Sequence, residues 1–599
     1  MLEDILLQVN KPGRYIGGEW NSPKKDFDKA YIKFALSFPD LYEVGMSNLG
    51  LRILYGILNN IPDTCCERVF ACDCDMENIL RDKRMEILSL ESRRRLREFD
   101  IIGFSLGSEL NYTNVLNILD LGCVPLQASL RDHNYPLVIG GGPCALNPEP
   151  LHEFFDLFVI GEAEDLILEL IETYGRYKEK FKAGKISKQD LLFIFSQIEG
   201  VYAPSLYEAV YNTTGAPEEF KPKIKDVPVK IKKRFVADLN SCFFPLEWLL
   251  PYIQIVHDRL NIEIMRGCPN RCRFCQARSQ YFPLRLRDIR NILMMSSAAY
   301  KRTGYEEISL CGLSVSDYPG IEELLKGLTD LFRHKAVGVS LPSIKPREMV
   351  GGLSSLIAGT RKTGLTFAPE AGSERLRKII AKDFDEEDFF RALEQAYLSG
   401  YQHVKLYFMI GLPREEKEDL TAIIDLSNRV SGLRRKLTKM PAQVNISINN
   451  LIPKPHTPLQ WLGMEDMDTI KCKQDYLKAA AKKHLPAERL PARQGRQERL
   501  NLSFHNRYMS FLEGVFSRGD RRLSRVISCA FKKGARFDAW GHRFSFDKWW
   551  AAFEETGIDP LFYLKEKKED ELLPWDFIDV GINKETLADE FKKVSEVTA

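Results

Sequence analysis

The 599-residue chain lacks most of what would send a protein to or through a membrane. Its uninterrupted apolar runs, such as Leu157 to Ile160, are far too short to span a bilayer. Met1 to Arg14 mixes acidic and basic residues and has no apolar stretch of the signal-peptide kind. Charge of one sign is also missing: 85 Lys and Arg against 83 Asp and Glu leave +2, so any basic footprint for nucleic acid has to be local. There is no internal repeat and no low-complexity tract. Thirteen cysteines are scattered too widely for a disulfide framework. What these absences leave is a globular protein, expected in the cytoplasm and away from membranes. It is too long for one core, so two to four domains are expected.

What is present is an alternation of short apolar strands with helical segments, the pattern of parallel sheets covered by helices. After an N-terminal extension (1–29), residues 30–175 read as a doubly wound, Rossmann-like domain. Its strands are predicted at Tyr31–Phe38, Asp100–Ser105, Pro136–Gly140 and Leu157–Gly161, and helices at Leu49–Asn59, Asn114–Leu121 and Asp165–Tyr174. The turns after these strands are rich in small residues, including Gly45, Ser47, Ser105, Gly107 and Gly140–Gly142. They serve either as tight strand-to-helix turns or as places where backbone approaches a ligand. Lysine-rich residues 176–250 read as a linker region. The alternation resumes over 251–484, with six strands predicted at Ile262–Met265, Glu307–Cys311, Gly338–Leu341, Leu365–Ala368, His403–Ile410 and Val444–Asn449. Six units suggest a partial (βα)6 barrel with chemistry at the strands' C-terminal ends. Residues 485–599 read as a helical extension.

One cysteine group is compact: Arg266-Gly-Cys268-Pro-Asn-Arg-Cys272-Arg-Phe-Cys275, directly after the first strand of the six. Three thiolates can hold a four-iron cluster and leave one iron open to an outside ligand. A zinc knuckle would want a fourth Cys or His at short range, and none follows within the next several residues. Cys65, Cys66, Cys72 and Cys74 form a looser group that is read as ordinary reduced thiols or as ligands of a second cluster. Near the C-terminus Arg518, Arg521, Arg522, Arg525, Lys532, Lys533 and Arg536 precede Trp540, His542, Trp549 and Trp550. That mixture suits RNA backbone and stacked bases, or equally a solvated helix face followed by core aromatics.

The spacing Cys-x3-Cys-x2-Cys, with an aromatic before the third Cys, resembles the signature of the radical S-adenosylmethionine (SAM) superfamily. The resemblance continues through Ser309–Ser314, Ala368–Glu374, Tyr407–Pro413 and Ile452–Trp461. It also covers Arg14–Glu19, Phe38–Gly45, Asn147–Pro150 and Gly161–Glu162. These segments resemble members that carry an N-terminal cobalamin-binding-type domain. The resemblance implies a 4Fe-4S cluster on Cys268, Cys272 and Cys275, with SAM chelated at the open iron and cleaved by one electron to a 5′-deoxyadenosyl radical. It further implies SAM contacts from Cys311 and Gly312, where a Gly-Gly-Glu motif would stand, and from Glu370, Ser373, Arg375 and Gly411, though Glu370 also reads as a surface or helix-capping carboxylate and Gly411 as a plain strand-to-helix turn. An electron donor such as flavodoxin or ferredoxin would be the partner. Cobalamin domains often carry Asp-x-His-x-x-Gly; here the loop reads Asp40-Leu-Tyr42-Glu-Val-Gly45, without histidine. Cobalamin would then be bound without a protein ligand on cobalt, or not at all. The expected reaction is cobalamin-assisted methylation of an unactivated carbon. The rivals are sulfur insertion of the methylthiotransferase kind and a non-catalytic electron-transfer or sensing role. The substrate is left open, with RNA as one candidate.

Overall fold

The computed structural model describes residues 2–341, 365–483 and 500–596; the predicted boundary at 484/485 lies outside them. The N-terminal sheet is built from β1 (Ile32–Phe38), β2 (Thr64–Phe70), β3 (Ile101–Ser105), β4 (Leu137–Gly141), β5 (Leu157–Val159) and β6 (Val201–Tyr202). Their order is β2-β1-β3-β4-β5-β6, all parallel except β6. β1, β3, β4 and β5 are nearly continuous apolar runs because helices cover both faces. The order reverses between β1 and β3, so the crevice of this doubly wound domain lies beyond those two strands.

The segment read as a linker holds regular structure. The helix Leu166–Lys182 runs across residue 176, and a second helix, Lys188–Ser196, follows with Ser187 as its capping residue. A hairpin of β7 (Tyr207–Tyr211) and β8 (Pro217–Pro222) comes next, and then β9 (Ile231–Lys232).

The second α/β unit contains all six predicted strands: β10 (Leu260–Glu263), β13 (Glu307–Cys311), β14 (Gly338–Ser340), β15 (Leu365–Glu370), β16 (His403–Ile410) and β17 (Gln443–Asn450). A two-stranded pair, β11 (Met265–Arg266) with β12 (Arg285–Leu286), intervenes after β10. A seventh parallel strand, β18 (Leu500–Phe504), pairs with β17 inside the segment read as helical. The barrel strands form two parallel arcs, β10-β13-β14 and β15-β16-β17-β18.

The helices after β18 do not stand apart. Val515, Phe516, Leu523, Ile527 and Trp549 share one continuous core with the N-terminal sheet, and the barrel arcs have separate cores. Phe516 packs near both Tyr112 and Trp549, at ring centroid distances of 5.8 and 5.0 Å. β19 (Ile578–Asp579) pairs in parallel with β9, so residue 578 lies against residue 231. Among the described residues no helix is long and apolar enough to cross a membrane.

Candidate active site

The thiol loop leaves the barrel at Gly267, whose φ of +91° is open to glycine and strained for other residues. A Cβ there would lie 2.8 Å from the carbonyl oxygens of Tyr281 and Pro283. Cys268, Cys272 and Cys275 follow, all half-buried. Arg273 pins the loop to the helix Glu374–Ile379 and its C-terminal end. Its N–H donates to the Ile380 carbonyl at 3.0 Å, and its guanidinium donates to the Ile379 carbonyl at 2.5 Å and to Glu590 at 3.1 Å. Asn270 donates to the Cys268 sulfur at 3.3 Å and to Asp317 at 2.9 Å. Beyond Cys275, Ser279 donates to the His456 carbonyl and Gln276 to the Pro455 carbonyl. Lys233 donates to the carbonyls of Ser279, Gln280 and Phe282, and burial lowers its ammonium to about 8.

The base of the loop is also tied to the N-terminal domain. Glu162, just beyond β5, accepts from Arg266 at 2.9 Å and from Arg285 at 2.8 Å. Glu263 and Glu164 complete the shell of Arg266. Burial would raise the Glu162 carboxyl, but Arg285 and Arg266 hold it below the usual range.

Burial pushes the Cys272 thiol up to about 11 and that of Cys275 upward, so metal binding must drive out the protons. A lone zinc at about 2.3 Å from each sulfur would draw the sulfurs to about 3.8 Å of one another. Among the described residues no three His, Cys, Asp or Glu side chains converge on a single ion. Three soft donors on one pinned loop, with Asn270 donating to a sulfur, are the donor set that an iron–sulfur cluster takes.

The residues expected to contact SAM lie at the C-terminal ends of the barrel strands. Cys311 is in register with Glu263, and burial pushes its thiol up to about 11. A Cβ on Gly312 would come within 2.6 Å of Met265 Cγ. Glu370 ends β15 at a bulge, with φ +68° in a non-glycine residue. It and Lys382, 3.7 Å away, both act electrostatically on Cys272. Burial raises the Glu370 carboxyl against the pull of Lys382. Ser373 caps the next helix by accepting from Leu376 and donates to Asp419. Arg375 pairs with the same Asp419 and donates to the Arg414 carbonyl at 2.9 Å. Gly411, at φ +81°, donates its N–H to Glu415 at 3.0 Å. Glu370 therefore pairs with Lys382 and acts on Cys272, whereas Ser373 and Arg375 gather on Asp419. Lys382, Arg273 and Asn270 are additions that the motif did not reveal.

At the N-terminal sheet, the loop after β1 offers cobalt no free side chain. Asp40 accepts from Trp540 at 2.9 Å, Tyr42 donates to Glu19 at 2.7 Å, and Glu43 accepts from Arg14 and Lys11. Glycines there pack against protein: a Cβ on Gly45 would meet the Phe70 ring at 2.2 Å. The loops after β3 and β4 are more open. Ser105, Gly107, Ser108, Gly141 and Gly142 keep exposure, and nothing lies within 4 Å of a Cβ placed on Gly107. The small, partly exposed positions that a flat ligand could approach are therefore those after β3 and β4, whereas the side chains of the β1 loop are engaged within the protein. At this edge Lys454, one residue before the Pro455 that touches Gln276, bridges Glu109 at 2.7 Å and Glu513 at 2.8 Å.

Cys65, Cys66 and Cys72 are buried, and burial pushes Cys65 up to about 12. Four of the seven cations of the C-terminal basic stripe are engaged inside the fold, and Arg525, Lys532 and Lys533 stay exposed. Arg518 donates to three backbone carbonyls, Arg521 pairs with Glu149, Arg522 with Asp520, and Arg536 with Glu77.

Two family models match the chain: residues 50–204 match "Radical SAM proteins, N-terminal", and residues 262–427 match "Radical SAM superfamily". A relative of nearly full length is the uncharacterized protein MJ0966 of Methanocaldococcus jannaschii. It is 28% identical over 536 residues, which are 88% of this chain and 97% of that protein. A tRNA-2-methylthio-N(6)-dimethylallyladenosine synthase of Chlorobium phaeobacteroides is 27% identical over 178 residues, 28% of this chain and 39% of the synthase. Among solved structures, the cobalamin-dependent SAM radical enzyme OxsB with aqua-cobalamin bound has a TM-score of 0.45 at 14% identity, covering 94% of this chain and 80% of its own. The radical SAM methyltransferase TsrM from Kitasatospora setae has a TM-score of 0.44 at 14% identity, covering 72% and 75%.

Proposed function

Because the chain belongs to the radical SAM superfamily, we propose that Cys268, Cys272 and Cys275 hold its 4Fe-4S cluster and that it methylates an unactivated carbon with cobalamin's help. When bound, the cluster supplies the electron that cleaves SAM to methionine and a 5′-deoxyadenosyl radical. The protein's own residues position and shield. Gly267 and Arg273 fix the thiol loop, Asn270 tempers the charge on the Cys268 sulfur, and Glu370 beside Lys382 offers a carboxylate to the nucleoside or amino group. Cys311, Gly312 and Gly411 close the mouth with main chain at the strand ends. Cobalamin would lie against Ser105, Gly107 and Gly141, without a protein ligand on cobalt, and would serve as the methyl carrier. Electrons would come from an external donor of the flavodoxin or ferredoxin kind.

The observation that carries this reading is the three-thiol loop pinned by Arg273 and Asn270, with the Glu370–Lys382 pair at the end of β15. Protein reconstituted anaerobically is expected to hold about four irons and to release 5′-deoxyadenosine from SAM on reduction. A Cys272→Ala variant should lose both; retention of iron and cleavage would refute the assignment. After loading with hydroxocobalamin and desalting, about one cobalt per chain should remain, with a base-off spectrum; its absence would remove cobalamin-assisted methylation. The partial likeness to a methylthio-tRNA synthase keeps sulfur insertion as the second reading, and about eight irons per chain would favour it. A cluster that never cleaves SAM would point instead to electron transfer or sensing.

A further inference from the structure

The helix Lys584–Glu596 carries one inward stripe at helical spacing: Leu587, Glu590, Phe591 and Val594, all buried or half-buried. Glu585, Lys592 and Lys593 stay exposed on the other side. A helix that only covers a core fills such a stripe with apolar side chains. Here a carboxylate interrupts it, and its partner lies in the thiol loop.

Glu590 meets the Arg273 guanidinium at 3.1 Å, across 317 residues of sequence. Arg273 stands between Cys272 and Cys275 and is 7% exposed. Its main-chain N–H and its Nη1 already donate to the Ile380 and Ile379 carbonyls, which hold the loop but leave its charge unbalanced. A buried cation stripped of its carboxylate is costly, so the pair resists separation. The next residue, Phe274, packs into the apolar cluster that Leu376, Ile379, Phe591 and Val594 share. The same helix reaches two further loops of the barrel. Phe591 lies 5.7 Å from Trp461 between ring centroids, in the segment after β17. Arg414, after β16, donates to the Ser595 carbonyl at 3.0 Å. One helix therefore grips the thiol loop together with the segments that follow β15, β16 and β17.

We propose that the helix Lys584–Glu596 is a clasp on the thiol loop, and that Glu590, acting through Arg273, is a positioning residue for the cluster. The pair holds the loop in place so that the three thiols stay gathered, and the helix keeps water from the loop's back. This rests on the reading that Cys268, Cys272 and Cys275 are the cluster's ligands. Glu590 touches no reacting atom; its effect reaches the site through the guanidinium between two of those thiols.

The test uses the full chain, reconstituted anaerobically, and follows iron release to a ferrous chelator. Glu590→Gln should release iron roughly ten- to a hundredfold faster than wild type, the usual effect of losing a partner behind a metal ligand. The reduction potential of its cluster should also rise, because an anion beside the loop is gone and solvent gains access. Glu590→Asp, which keeps the charge, should restore most of both properties. Glu585→Gln, on the exposed side of the same helix, should change neither. Phe591→Leu loosens the helix without touching a charge and should also speed release, so a poorly folded Glu590→Gln does not end the test. Wild-type release and potential in both Glu590→Gln and Phe591→Leu, in chains that load about four irons, would overturn the clasp alone. A wild-type chain that loads no iron would refute the thiol assignment and the clasp with it.

Discussion

At the scale of single residues, Glu370 makes the sharpest prediction. Its left-handed backbone, φ +68°, is uncommon for a residue with a side chain, and such strain gathers at functional positions. Glu370→Ala should leave iron content unchanged while weakening SAM binding. Loss of a charged hydrogen bond costs about 1.5–3 kcal/mol, or roughly ten- to a hundredfold in Kd measured by equilibrium dialysis. A second prediction concerns the buried His456 and the half-buried His152. Burial lowers His456 to about 4 and His152 to about 3. An unfolded imidazole takes up its proton near about pH 6.5, whereas these two resist until the pH is much lower. The unfolded state therefore binds more protons in that window, and stability is full above about pH 6.5 and falls as the pH drops toward about 4. Urea midpoints of apo-protein between about pH 7.5 and 5 should fall less steeply for His456→Gln than for the wild type. His456 also contacts the Leu146 carbonyl at 3.0 Å, so the variant should start from a lower midpoint at the alkaline end.

At the scale of elements, the thiol loop depends on a single glycine. Gly267→Ala should cost about 1 kcal/mol or more for the positive φ alone, and its Cβ would press on two carbonyls. Iron content after reconstitution should drop below the wild-type level although all three thiols remain. The same scale shows what could be read from residue order. The six barrel strands were legible because strands buried on both faces are short apolar runs bounded by turns. β2 was not, since Thr64-Cys-Cys-Glu67-Arg68-Val-Phe70 carries two charges that look solvent-bound. Both are buried and matched, Arg68 by Glu19 and Glu91, and Glu67 by Ser89 and Ser92. β18 alternates polar and apolar residues, Leu-Asn-Leu-Ser-Phe, and so lacks the mark of a central strand. In the site, the thiol spacing announced itself, whereas Lys382 and Arg273 owe their places to partners far along the chain. Arg273 finds Ile379 106 residues away, a contact that no local pattern encodes.

At the scale of the whole molecule, the N-terminal domain and the C-terminal helices form one body. Val515, Phe516, Ile527 and Trp549 belong to the core of the first sheet, and Asn114, Thr113 and Asp40 are hydrogen-bonded by Phe537, Asp538 and Trp540. A fragment of residues 1–205 should therefore expose apolar surface. It is expected to bind a hydrophobic dye strongly and to elute as aggregates in gel filtration, whereas the full chain should do neither. The pairing of β9 with β19 sets residue 231 beside residue 578 and has a further consequence for how the protein is made. At roughly 5–20 residues per second, the ribosome needs on the order of half a minute to pass from β6 to the helices that finish the first core. For that interval the nascent sheet waits with an unfinished face. Cellular yield should then depend on chaperones that hold early segments and on synthesis reaching its last codons, more than on the stability of the finished fold.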